Sequence, residues 1–299
     1  MELTFDRTLE APYGVETRLS RRVGRLLAPN PGPFTFRGTG VYLVGDGDAV
    51  AVIDPGPGLP EHLEALKRAI GTRRVSHILL THTHRDHSPA AAPLKAWSGA
   101  RTYAVPLRAP PDMGEGVADE AIDHDFVPDV IVQDGDAIAG EGFTITCVAT
   151  PGHTSNHVCY GLAEEEALFS GDHVMGWATS VVAPPDGSMA QYLASLDKLL
   201  GRGDRLYYPT HGSPVPRPQD WVRGLIAHRH RREAQIVAAL GQGDGTVAAI
   251  AARLYPDVPP GLRAAAASQV RAHLDHLAGK GAVLRNGAWF AIPASGGRP

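Results

Sequence analysis

The spacing of apolar residues near the start of the chain predicts strands and helices in alternation. Two short apolar runs within Thr39–Asp54 surround the turn Gly45–Asp48, a pattern typical of a β-hairpin. From Leu59 to Ile70 the apolar residues recur three or four positions apart, as they do on one face of a helix. Val75–Thr81 is a further apolar run of strand length, and Ser88–Pro89 has residues that are favoured at the start of a helix. Strand and helix therefore alternate in this part of the chain.

Strands dominate the next part of the sequence. Five apolar runs are predicted as strands: Ala137–Ile138, Phe143–Thr150, Val158–Leu162, Ala167–Ser170 and Leu206–Tyr208. An amphipathic segment, Met189–Leu200, is predicted as a helix between the last two of them. Segment 109–129 is rich in Pro, Asp and Glu and is interpreted as an irregular surface excursion. This mixture of strands and helices favours an α/β sandwich of layered sheets.

The sequence pattern changes after the proline-rich stretch Pro214–Pro218. Three helices and then two short strands are predicted there: Asp220–Leu240, Thr246–Leu254 and Arg263–Gly279, followed by Val283–Leu284 and Trp289–Ile292. Thr246 is a favourable N-cap, and Asn286–Gly287 is a strong hairpin turn. Helices followed by a β-hairpin indicate a small winged-helix unit. We therefore predict two domains, residues 1–216 and 217–299.

Composition narrows the class of protein. The 299 residues are 43% hydrophobic and 20% charged with a net charge of -4, which excludes an intrinsically disordered chain. The presence of only two cysteines excludes a disulfide scaffold. The beginning of the chain lacks the basic and apolar regions of a secretory signal, and no uncharged apolar run is long enough to cross a bilayer. From the sequence we expect a cytoplasmic protein with no membrane partner.

Three histidines and an aspartate fall within the segment Thr81–His87, at the end of a predicted strand. His82 and His84 are two residues apart, so an extended backbone directs both side chains to the same side. Asp86 and His87 follow where the chain turns toward the next helix, near enough to face a neighbouring point. Imidazole and carboxylate ligands suit zinc, iron and manganese. The segment therefore predicts a metal site at the end of this strand.

Three further residues of metal-binding type occupy equivalent positions. His153, Asp172 and His211 each follow a predicted strand after one or two intervening residues. Ligands on loops at strand ends are a common way for α/β folds to assemble a site. His157 either packs at the start of a strand or lines the site, whereas His62 is predicted on the exposed face of its helix; the remaining histidines are interpreted as structural or surface residues. Seven candidate ligands in four strand-end loops together predict a metal centre.

Several motifs along the chain resemble those of one enzyme family. The segment Thr81–His87 resembles the H-x-H-x-D-H signature of the metallo-β-lactamase superfamily, whose αββα fold also carries a later His, a bridging Asp and a final His. The match continues in order over residues 20–215, in Ile53–Gly56, Pro151–Thr154, Ser170–Asp172 and Pro209–Gly212. Within the superfamily, Asn30–Thr39, the segment His228–Glu233 and the winged-helix tail resemble the β-lactamase-like-protein-2 group, although Gly40 stands where that group usually has Asn. The resemblance implies an αββα sandwich followed by a winged-helix domain.

The same resemblance implies a dinuclear metal centre. The first metal would be held by His82, His84 and His153 and the second by Asp86, His87 and His211, with Asp172 bridging and Asp54 orienting a ligand. Two divalent ions lower the pKa of a bridging water toward about 7 and stabilise negative charge in the transition state. Hydrolysis by a metal-bridging hydroxide is therefore expected, with zinc preferred to iron or manganese. Asp86 is also a candidate catalytic residue, because its carboxylate is positioned to accept a proton from the water.

The charge is unevenly divided between the two predicted domains. Residues 217–299 contain 11 Lys and Arg and 5 Asp and Glu, a net charge of +6, whereas the first 216 residues carry -10. The arginines of this tail include Arg223, Arg229, Arg231, Arg232, Arg263 and Arg271. A basic tail beside an acidic body fits an accessory unit that binds a polyanion. The alternative is a unit that packs on the body or forms a homodimer interface.

Three functions remain open from the sequence. The first is a phosphodiesterase acting on single-stranded RNA, because the β-lactamase-like-protein-2 group includes endoribonucleases that prefer single strands. The second is a small-molecule acyl hydrolase that cleaves a thioester or lactone, similar to glyoxalase II. The third is a nonenzymatic winged-helix binding protein, which the complete set of metal-type residues disfavours.

Overall fold

Two β-sheets pack face to face between helices in the computed structural model of the protein, which describes residues 3–107 and 122–293. Within those ranges the first sheet contains β1 (Glu16–Arg18), β2 (Val23–Leu27), β3 (Gly40–Val44), β4 (Ala49–Ile53), β5 (Arg74–Leu79), β6 (Arg101–Ala104) and β7 (Val130–Ile131), paired in that order. The pairs from β1 to β4 are antiparallel, and those from β4 to β7 are parallel. Strands β2 to β4 are buried along their whole length, as expected for strands covered on both faces.

The second sheet contains, in the described residues, β8 (Ala137–Gly140), β9 (Phe143–Ala149), β10 (Val158–Leu162), β11 (Ala167–Gly171), β12 (Leu206–Pro209) and β13 (Val215–Pro216), again paired in chain order. Only the pair β11 and β12 is parallel among these strands. Because β9 and β11 are both antiparallel to β10, strands β9, β11 and β12 all run in the same direction. The loops that follow these three strands therefore leave the same edge of the sheet.

The apolar side chains between the two sheets form the main core. Tyr42 and Ile53 from the first sheet meet Tyr160 and Phe169 from the second, and all four are at most 1% exposed. The rings of Tyr42 and Phe169 have centroids 5.1 Å apart, a favourable separation for an aromatic pair. Helices cover both outer faces: α1 (Pro60–Ile70) and α2 (Ala91–Ser98) lie on the first sheet, and α3 (Met189–Leu200) lies on the second. The predicted αββα sandwich is confirmed.

Three helices and a β-hairpin follow the second sheet: α4 (Pro218–Gly241), α5 (Val247–Leu254), α6 (Arg263–Gly279), β14 (Leu284–Asn286) and β15 (Trp289–Ala291). The Thr246 side chain accepts a hydrogen bond from the Ala249 N–H at 3.2 Å, so it caps α5 as predicted. Phe290 of β15 packs with Ile250 and Leu274 in a core of its own. Helices followed by this hairpin form the predicted winged-helix unit.

Helix α4 contributes to both cores. Its first half adds Val222 and Leu225 to the apolar layer between α3 and the second sheet. Its second half adds Ile236 and Leu240 to the C-terminal core. A continuous helix of 24 residues therefore joins the two units. The division at residue 216, just before this helix, stays a prediction.

The start of α2 differs from the sequence prediction. The helix begins at Ala91, and its preceding residue, Ala90, makes no side-chain capping hydrogen bond. Ser88, the predicted cap, instead donates its hydroxyl hydrogen bond to Asp123 Oδ2 at 2.6 Å. The prediction of a Ser88 cap was therefore wrong, because residues 88–91 form a turn, in which the Ala91 N–H donates to the Ser88 carbonyl, before the helix begins.

Two other expectations concern segment 109–129 and the membrane. Residues 109–121 of the predicted surface excursion lie outside the described residues, and 122–129 lead into β7. Across the described part of the chain, every helix is too short or too polar to span a membrane.

Candidate metal centre

The candidate metal ligands lie in loops at one edge of the sandwich. Strands β4 and β5 are parallel neighbours, so the loops that follow Ile53 and Leu79 emerge side by side. The loops that follow β9, β11 and β12 carry His153, Asp172 and His211. The side chains of these loops form groups of potential metal ligands whose donor atoms lie within 4.8 Å of one another. The structure thus brings all seven predicted ligands together.

The first group comprises His82, His84 and His153. His84 Nδ1 lies 2.9 Å from His82 Nε2 and 3.2 Å from His153 Nε2. Three nitrogens bound at about 2.0–2.1 Å to a tetrahedral zinc ion would lie about 3.3 Å from one another. The separations in this group therefore suit a single metal ion.

The second group comprises Asp86, His87 and His211. Asp86 Oδ2 lies 3.3 Å from His87 Nε2 and 3.1 Å from His211 Nε2. Both imidazoles are at most 1% exposed, whereas the Asp86 side chain is 26% exposed. Solvent, and with it a substrate, can therefore approach this group at Asp86.

Asp172 lies between the two groups. Its Oδ1 atom is 3.4 Å from His211 Nε2 and 3.7 Å from His87 Nε2. Its Oδ2 atom is 3.7 Å from His153 Nε2. One carboxylate oxygen thus faces each group, which is the arrangement that a bridging ligand requires.

Two buried atoms of this cluster have no hydrogen-bond partner among the described residues, His87 Nε2 and Asp172 Oδ1. Buried polar atoms are normally satisfied, so an orphaned pair only 3.7 Å apart indicates a missing partner. A divalent cation would satisfy both atoms at once. The complete donor set of five imidazoles and two carboxylates suits zinc, iron or manganese. The residues therefore fit a pair of divalent metal ions.

Fixed contacts on the far side of three imidazoles direct their Nε2 atoms toward the cluster. The Nδ1 atoms of these rings contact oxygen atoms: His87 contacts Asp54 Oδ2 at 3.0 Å, His211 contacts the Gly38 carbonyl at 3.1 Å, and His153 contacts the Val181 carbonyl. An oxygen acceptor at Nδ1 selects the tautomer in which Nε2 carries the lone pair. The surrounding loops therefore orient these rings for metal binding.

Asp54 is held by several hydrogen bonds. Its Oδ1 accepts a hydrogen bond from the Thr81 N–H at 2.7 Å. Its Oδ2 accepts from the hydroxyls of Thr81 at 2.8 Å and Thr210 at 3.0 Å. With 1% exposure, Asp54 is fixed behind His87, where a residue that orients this ring is expected.

Burial keeps two imidazoles of the first group, those of His82 and His84, neutral. It is the main cause that lowers the pKa of His82 and His84 well below the ordinary value, and the neighbouring imidazoles lower it further. A neutral imidazole retains the lone pair that a metal needs. These two ligands are therefore ready for a metal ion without losing a proton.

Charge pairing has the opposite effect in the second group. Burial alone would lower the pKa of His87, but three carboxylates, Asp86 foremost, raise it well above its ordinary value. Burial alone would raise the pKa of Asp86, but His87 and His211 hold it well below its ordinary value. Asp86 is therefore ionised at neutral pH.

His157 is a buried residue that the sequence left between two roles. Its Nδ1 lies 2.9 Å from Thr150 Oγ1, and its Nε2 accepts a hydrogen bond from the Asp172 N–H at 3.3 Å. His157 thus holds the backbone of the candidate bridging ligand. Its position four residues after His153 gave a partial signal, but only the fold shows the contact with Asp172.

His62 does not lie on an exposed helix face. Its side chain is fully buried, and its Nε2 lies 2.9 Å from the Pro55 carbonyl. The prediction was wrong because the turn after β4 packs onto α1. A usable signal was present, since His62 lies four residues before the buried Leu66 and so shares its face of the helix.

Two known protein families match the chain in the order of the two structural units. The metallo-beta-lactamase superfamily matches residues 35–211, and the beta-lactamase-associated winged-helix domain matches residues 246–289. Residues 212–245, which include all of α4, fall between the two matches. The two family matches therefore agree with the observed αββα sandwich and winged-helix unit.

Individual proteins that are similar to this chain carry names of the same superfamily or of thioesterases. An atrochrysone carboxyl ACP thioesterase of Cryptosporiopsis sp. is 35% identical over 230 residues, which are 75% of this chain but only 65%, just under two thirds, of that relative. A beta-lactamase-like protein 2 homolog of Caenorhabditis elegans is 33% identical over 270 residues, 89% of this chain and 87% of the relative. The crystal structure of a metallo-beta-lactamase family protein from Thermus thermophilus superposes with a TM-score of 0.77 at 25% identity, covering 92% of this chain and 100% of the other. The chain therefore belongs to the metallo-beta-lactamase superfamily, whose hydrolases bind divalent metals, and it carries the winged-helix domain associated with that family.

Proposed function

We propose that this protein is a hydrolase with two divalent metal ions that cleaves acyl bonds, thioesters foremost. The observation that carries the proposal is the position of Asp172, whose two carboxylate oxygens face different groups of ligands. A carboxylate in that position suits a ligand that two metal ions share. Two adjacent ions are a common device for hydrolysis of acyl and phosphoryl bonds.

The proposed ligands divide as the two groups do. His82, His84 and His153 would hold one ion, Asp86, His87 and His211 would hold the other, and Asp172 would contact both. When bound, such ions supply an activated water at neutral pH and polarise the oxygen of the bond that is cleaved. We propose zinc as the resident ion, with iron and manganese as the alternatives that this donor set also accepts.

Asp86 is the residue that we assign to proton transfer. It is the solvent-facing member of the second group, since its side chain is 26% exposed while His87 and His211 are nearly inaccessible. Its carboxylate is ionised, and bound metal ions would lower the pKa of the attacking water, so Asp86 would accept the proton that this water releases.

The substrate class is proposed from the relatives and from leaving-group chemistry. The fungal relative is named an ACP thioesterase, and the chain aligns with it through the region that contains all seven candidate ligands. A thiol has a pKa of about 8.5, so it leaves as a thiolate near neutral pH without a strong general acid. A thioester therefore demands less of the residues around the metal centre than an amide does.

The competing prediction, cleavage of single-stranded RNA, depends on the charge of the tail. Two of its arginines form ion pairs with acidic neighbours on the same helix. Arg223 lies 3.1 Å from Asp220, and Arg271 lies 2.8 Å from Asp275. Each pair places a negative charge beside a guanidinium, which weakens the local attraction of that arginine for a phosphate backbone.

Two more arginines of the tail are occupied by packing. Arg232 lies over the ring of Tyr255, with 4.5 Å between its Cζ atom and the ring centroid. Arg229 is 3% exposed and contacts the protein interior. Among the six arginines singled out in the sequence, Arg231 and Arg263 are exposed without any of these contacts, whereas Arg223 is exposed but paired with Asp220. The pairing of Arg223 and Arg271 and the packing of Arg229 and Arg232 favour the acyl substrate.

A direct comparison of substrates tests the proposal. The metal-loaded full chain is incubated with a panel of alkyl and aryl acyl thioesters and, separately, with labelled single-stranded RNA. We expect release of free thiol from the thioesters and no cleavage of RNA. Elemental analysis should find two metal ions for each chain.

The matched control uses two histidines. His84→Ala removes a nitrogen that lies within 3.2 Å of two other candidate ligands, and it should abolish turnover and metal binding. His230→Ala changes an exposed histidine of α4 and should leave both unchanged. RNA cleavage that His84→Ala abolishes, without any thioester turnover, would establish the RNA function instead.

A further inference from the structure

Arg229 is a buried cation in α4. Its side chain is 3% exposed, and within the described ranges its guanidinium contacts a carbonyl oxygen, an amide oxygen and an aromatic ring rather than a carboxylate. A charge removed from water is costly unless well-placed partners compensate for it. The partners of Arg229 are Ser180, Gln269 and Tyr192, and two of them connect it to residues of the candidate metal centre.

Two side chains of the C-terminal helices converge on the carbonyl oxygen of Ser180. Arg229 Nη2 from α4 donates one hydrogen bond to it, and Gln269 Nε2 from α6 donates another at 3.2 Å. Arg229 Nη1 also donates to Gln269 Oε1 at 3.3 Å, so the two side chains orient each other. Ser180 lies in the loop between β11 and α3. Helices α4 and α6 thus fix one peptide group of that loop.

The next residue of the loop contacts a candidate metal ligand. The Val181 carbonyl accepts a hydrogen bond from His153 Nδ1, while His153 Nε2 lies 3.2 Å from His84 Nδ1. Because Ser180 and Val181 are consecutive, a shift of the Ser180 peptide would move the Val181 oxygen as well. The orientation of the His153 ring therefore depends on contacts made by Arg229.

A second route leads from Arg229 to Asp172. The Arg229 Cζ atom lies 5.0 Å from the centroid of the Tyr192 ring, within the range of a cation–π contact. Tyr192 Oη donates a hydrogen bond to the His173 carbonyl at 3.0 Å, and His173 directly follows Asp172. Both routes start at one guanidinium; the first ends at a proposed metal ligand, His153, and the second ends at His173, the residue next to the proposed ligand Asp172.

We infer that Arg229 is a positioning residue of the metal centre. It ties α4 and α6 to the loop that orients His153 and Asp172, so the C-terminal unit contributes to metal binding without supplying a ligand. The inference rests on the metal ligands of the proposed function, but it is independent of the substrate.

The test compares two arginines of the same helix in the full-length protein. Arg229→Met removes the donors to Ser180 and Gln269 but keeps an unbranched side chain. Arg232→Met removes the cation over Tyr255, which is not part of either route. Each variant is loaded with cobalt(II), its affinity is measured by chelator competition, and the visible spectrum of the bound ion is recorded.

We expect Arg229→Met to weaken cobalt binding about 10- to 100-fold and to alter the spectrum, as loss of an outer contact to a ligand typically does. Arg232→Met should leave both unchanged. A folded Arg229→Met protein with the wild-type affinity and spectrum would overturn the inference. The same changes in Arg232→Met would also overturn it, because they would show a general effect of weakening the C-terminal unit.

Hydrogen exchange of the metal-free protein separates the positioning role from the identity of the ligands. Backbone amides of residues 173–182 should exchange faster in Arg229→Met than in the wild type or in Arg232→Met. If the wild type binds no metal, the proposed function fails, whereas the exchange rates still decide whether Arg229 orders this loop. Unchanged exchange would count against the inference.

Two further variants keep the test decisive if Arg229→Met does not fold. Gln269→Leu removes the second donor to Ser180 and should give a smaller loss of cobalt affinity with an intact circular dichroism spectrum. Arg229→Lys keeps a cationic donor and should retain part of the affinity. A folded Gln269→Leu protein with wild-type affinity and exchange would overturn the inference.

Discussion

Asp54 connects loops from both sheets through a single side chain. It follows β4 with a φ of 49°, a left-handed conformation that Asp adopts more readily than most residues. In this conformation its carboxylate accepts hydrogen bonds from Thr81 after β5 and from Thr210 after β12, and it contacts His87 Nδ1. An amide at this position would replace one accepting oxygen by a donor. The local geometry thus depends on the charge and symmetry of the carboxylate.

Asp54→Asn should weaken metal binding at the group that contains His87 about 10- to 100-fold, because the ring loses the oxygen that orients it. Metal content after dialysis against a chelator measures the effect. Asp48→Asn, which changes an exposed carboxylate in the turn between β3 and β4, is the matched control and should retain its metal. Full retention in Asp54→Asn would contradict the role assigned to this residue.

Asp86→Asn tests proton transfer. The amide cannot accept a proton, so kcat should fall about 10²- to 10⁴-fold, the usual contribution of a general base. Metal content is measured on the same sample, since Asp86 is also a proposed ligand. Full activity together with full metal content would refute both roles.

The candidate ligands could be predicted from the sequence because each follows a recognisable apolar strand. The residues that orient these ligands could not be predicted, because their contacts are made with residues distant along the chain. His153 reaches a carbonyl 28 residues away, and Arg229 reaches one 49 residues away. No local pattern marks Val181 or Ser180 as acceptors for these side chains.

At the scale of elements, the sequence predicts best where one face of a segment is buried. The sequence pattern predicted the observed bounds of the amphipathic helix α3 and of α6. Strand β2 was missed because Arg25 interrupts its apolar run, yet this residue is only 5% exposed. Its Nη1 donates a hydrogen bond to the Gly212 carbonyl at 3.0 Å, next to His211. A hydrophobicity pattern cannot predict a core strand that contains a buried arginine, because the partner of that arginine is distant in the sequence.

The close approach of α3 to the loop after β9 requires Gly152. Its φ is +142°, and a Cβ at this position would lie 2.3 Å from Tyr192 Cα, a backbone atom that cannot move aside. Gly152→Ala should therefore destabilise the fold by about 2 kcal/mol or more and displace His153. Urea unfolding and metal content measure the two effects. Gly203→Ala, which has open space around it, should change neither.

At the scale of the whole molecule, the two units share apolar surface. Val222 and Leu225 of α4 and Ala272 of α6 pack in the layer over the second sheet. Burial of each large side chain contributes about 1.5–3 kcal/mol to stability, so loss of these contacts should destabilise the sandwich. The proposed domain boundary at residue 216 therefore marks a change of sequence pattern and not a plane of weak contact.

A chain cut after residue 216 should aggregate or remain partly unfolded, because the outer face of α3 and the second sheet loses its cover. Size-exclusion chromatography and circular dichroism of the fragment, beside the full chain, provide the measurement. A monomeric, folded fragment that binds metal with full affinity would show that residues 1–216 are an independent domain. That result would also count against positioning of the metal centre by Arg229.

Acid should destabilise the molecule partly through His228. Burial, followed by the neighbouring arginines, lowers its pKa to about 4, whereas the unfolded chain has a value near 6.5. As the pH falls from about 6.5 to 4, the unfolded state binds a proton at His228 that the folded state does not bind, so the free energy of unfolding decreases. The loss should be about 1 kcal/mol at pH 5, after allowance for solvent around the half-buried ring.

The measurement is urea unfolding of metal-free protein at pH 7 and pH 5. His228→Leu removes the titrating group, so the stability of this variant relative to the wild type should increase at the lower pH. His230→Leu, at an exposed position of the same helix, should show a difference from the wild type that is independent of pH. Equal pH dependence in all three proteins would exclude a contribution from His228.

The helix common to both cores also limits how these proteins can be recombined. A chimera that joins this αββα body to the tail of a relative has no clean junction, since a join at residue 216 breaks the contacts of Val222 and Leu225 with the body. A join after α4 instead breaks the contacts of Ile236 and Leu240 with the tail. Functional exchange would have to carry matching surfaces on both sides. Body and tail are therefore expected to be inherited together and to change together in evolution, because gene fusion cannot replace one of them without breaking contacts of α4.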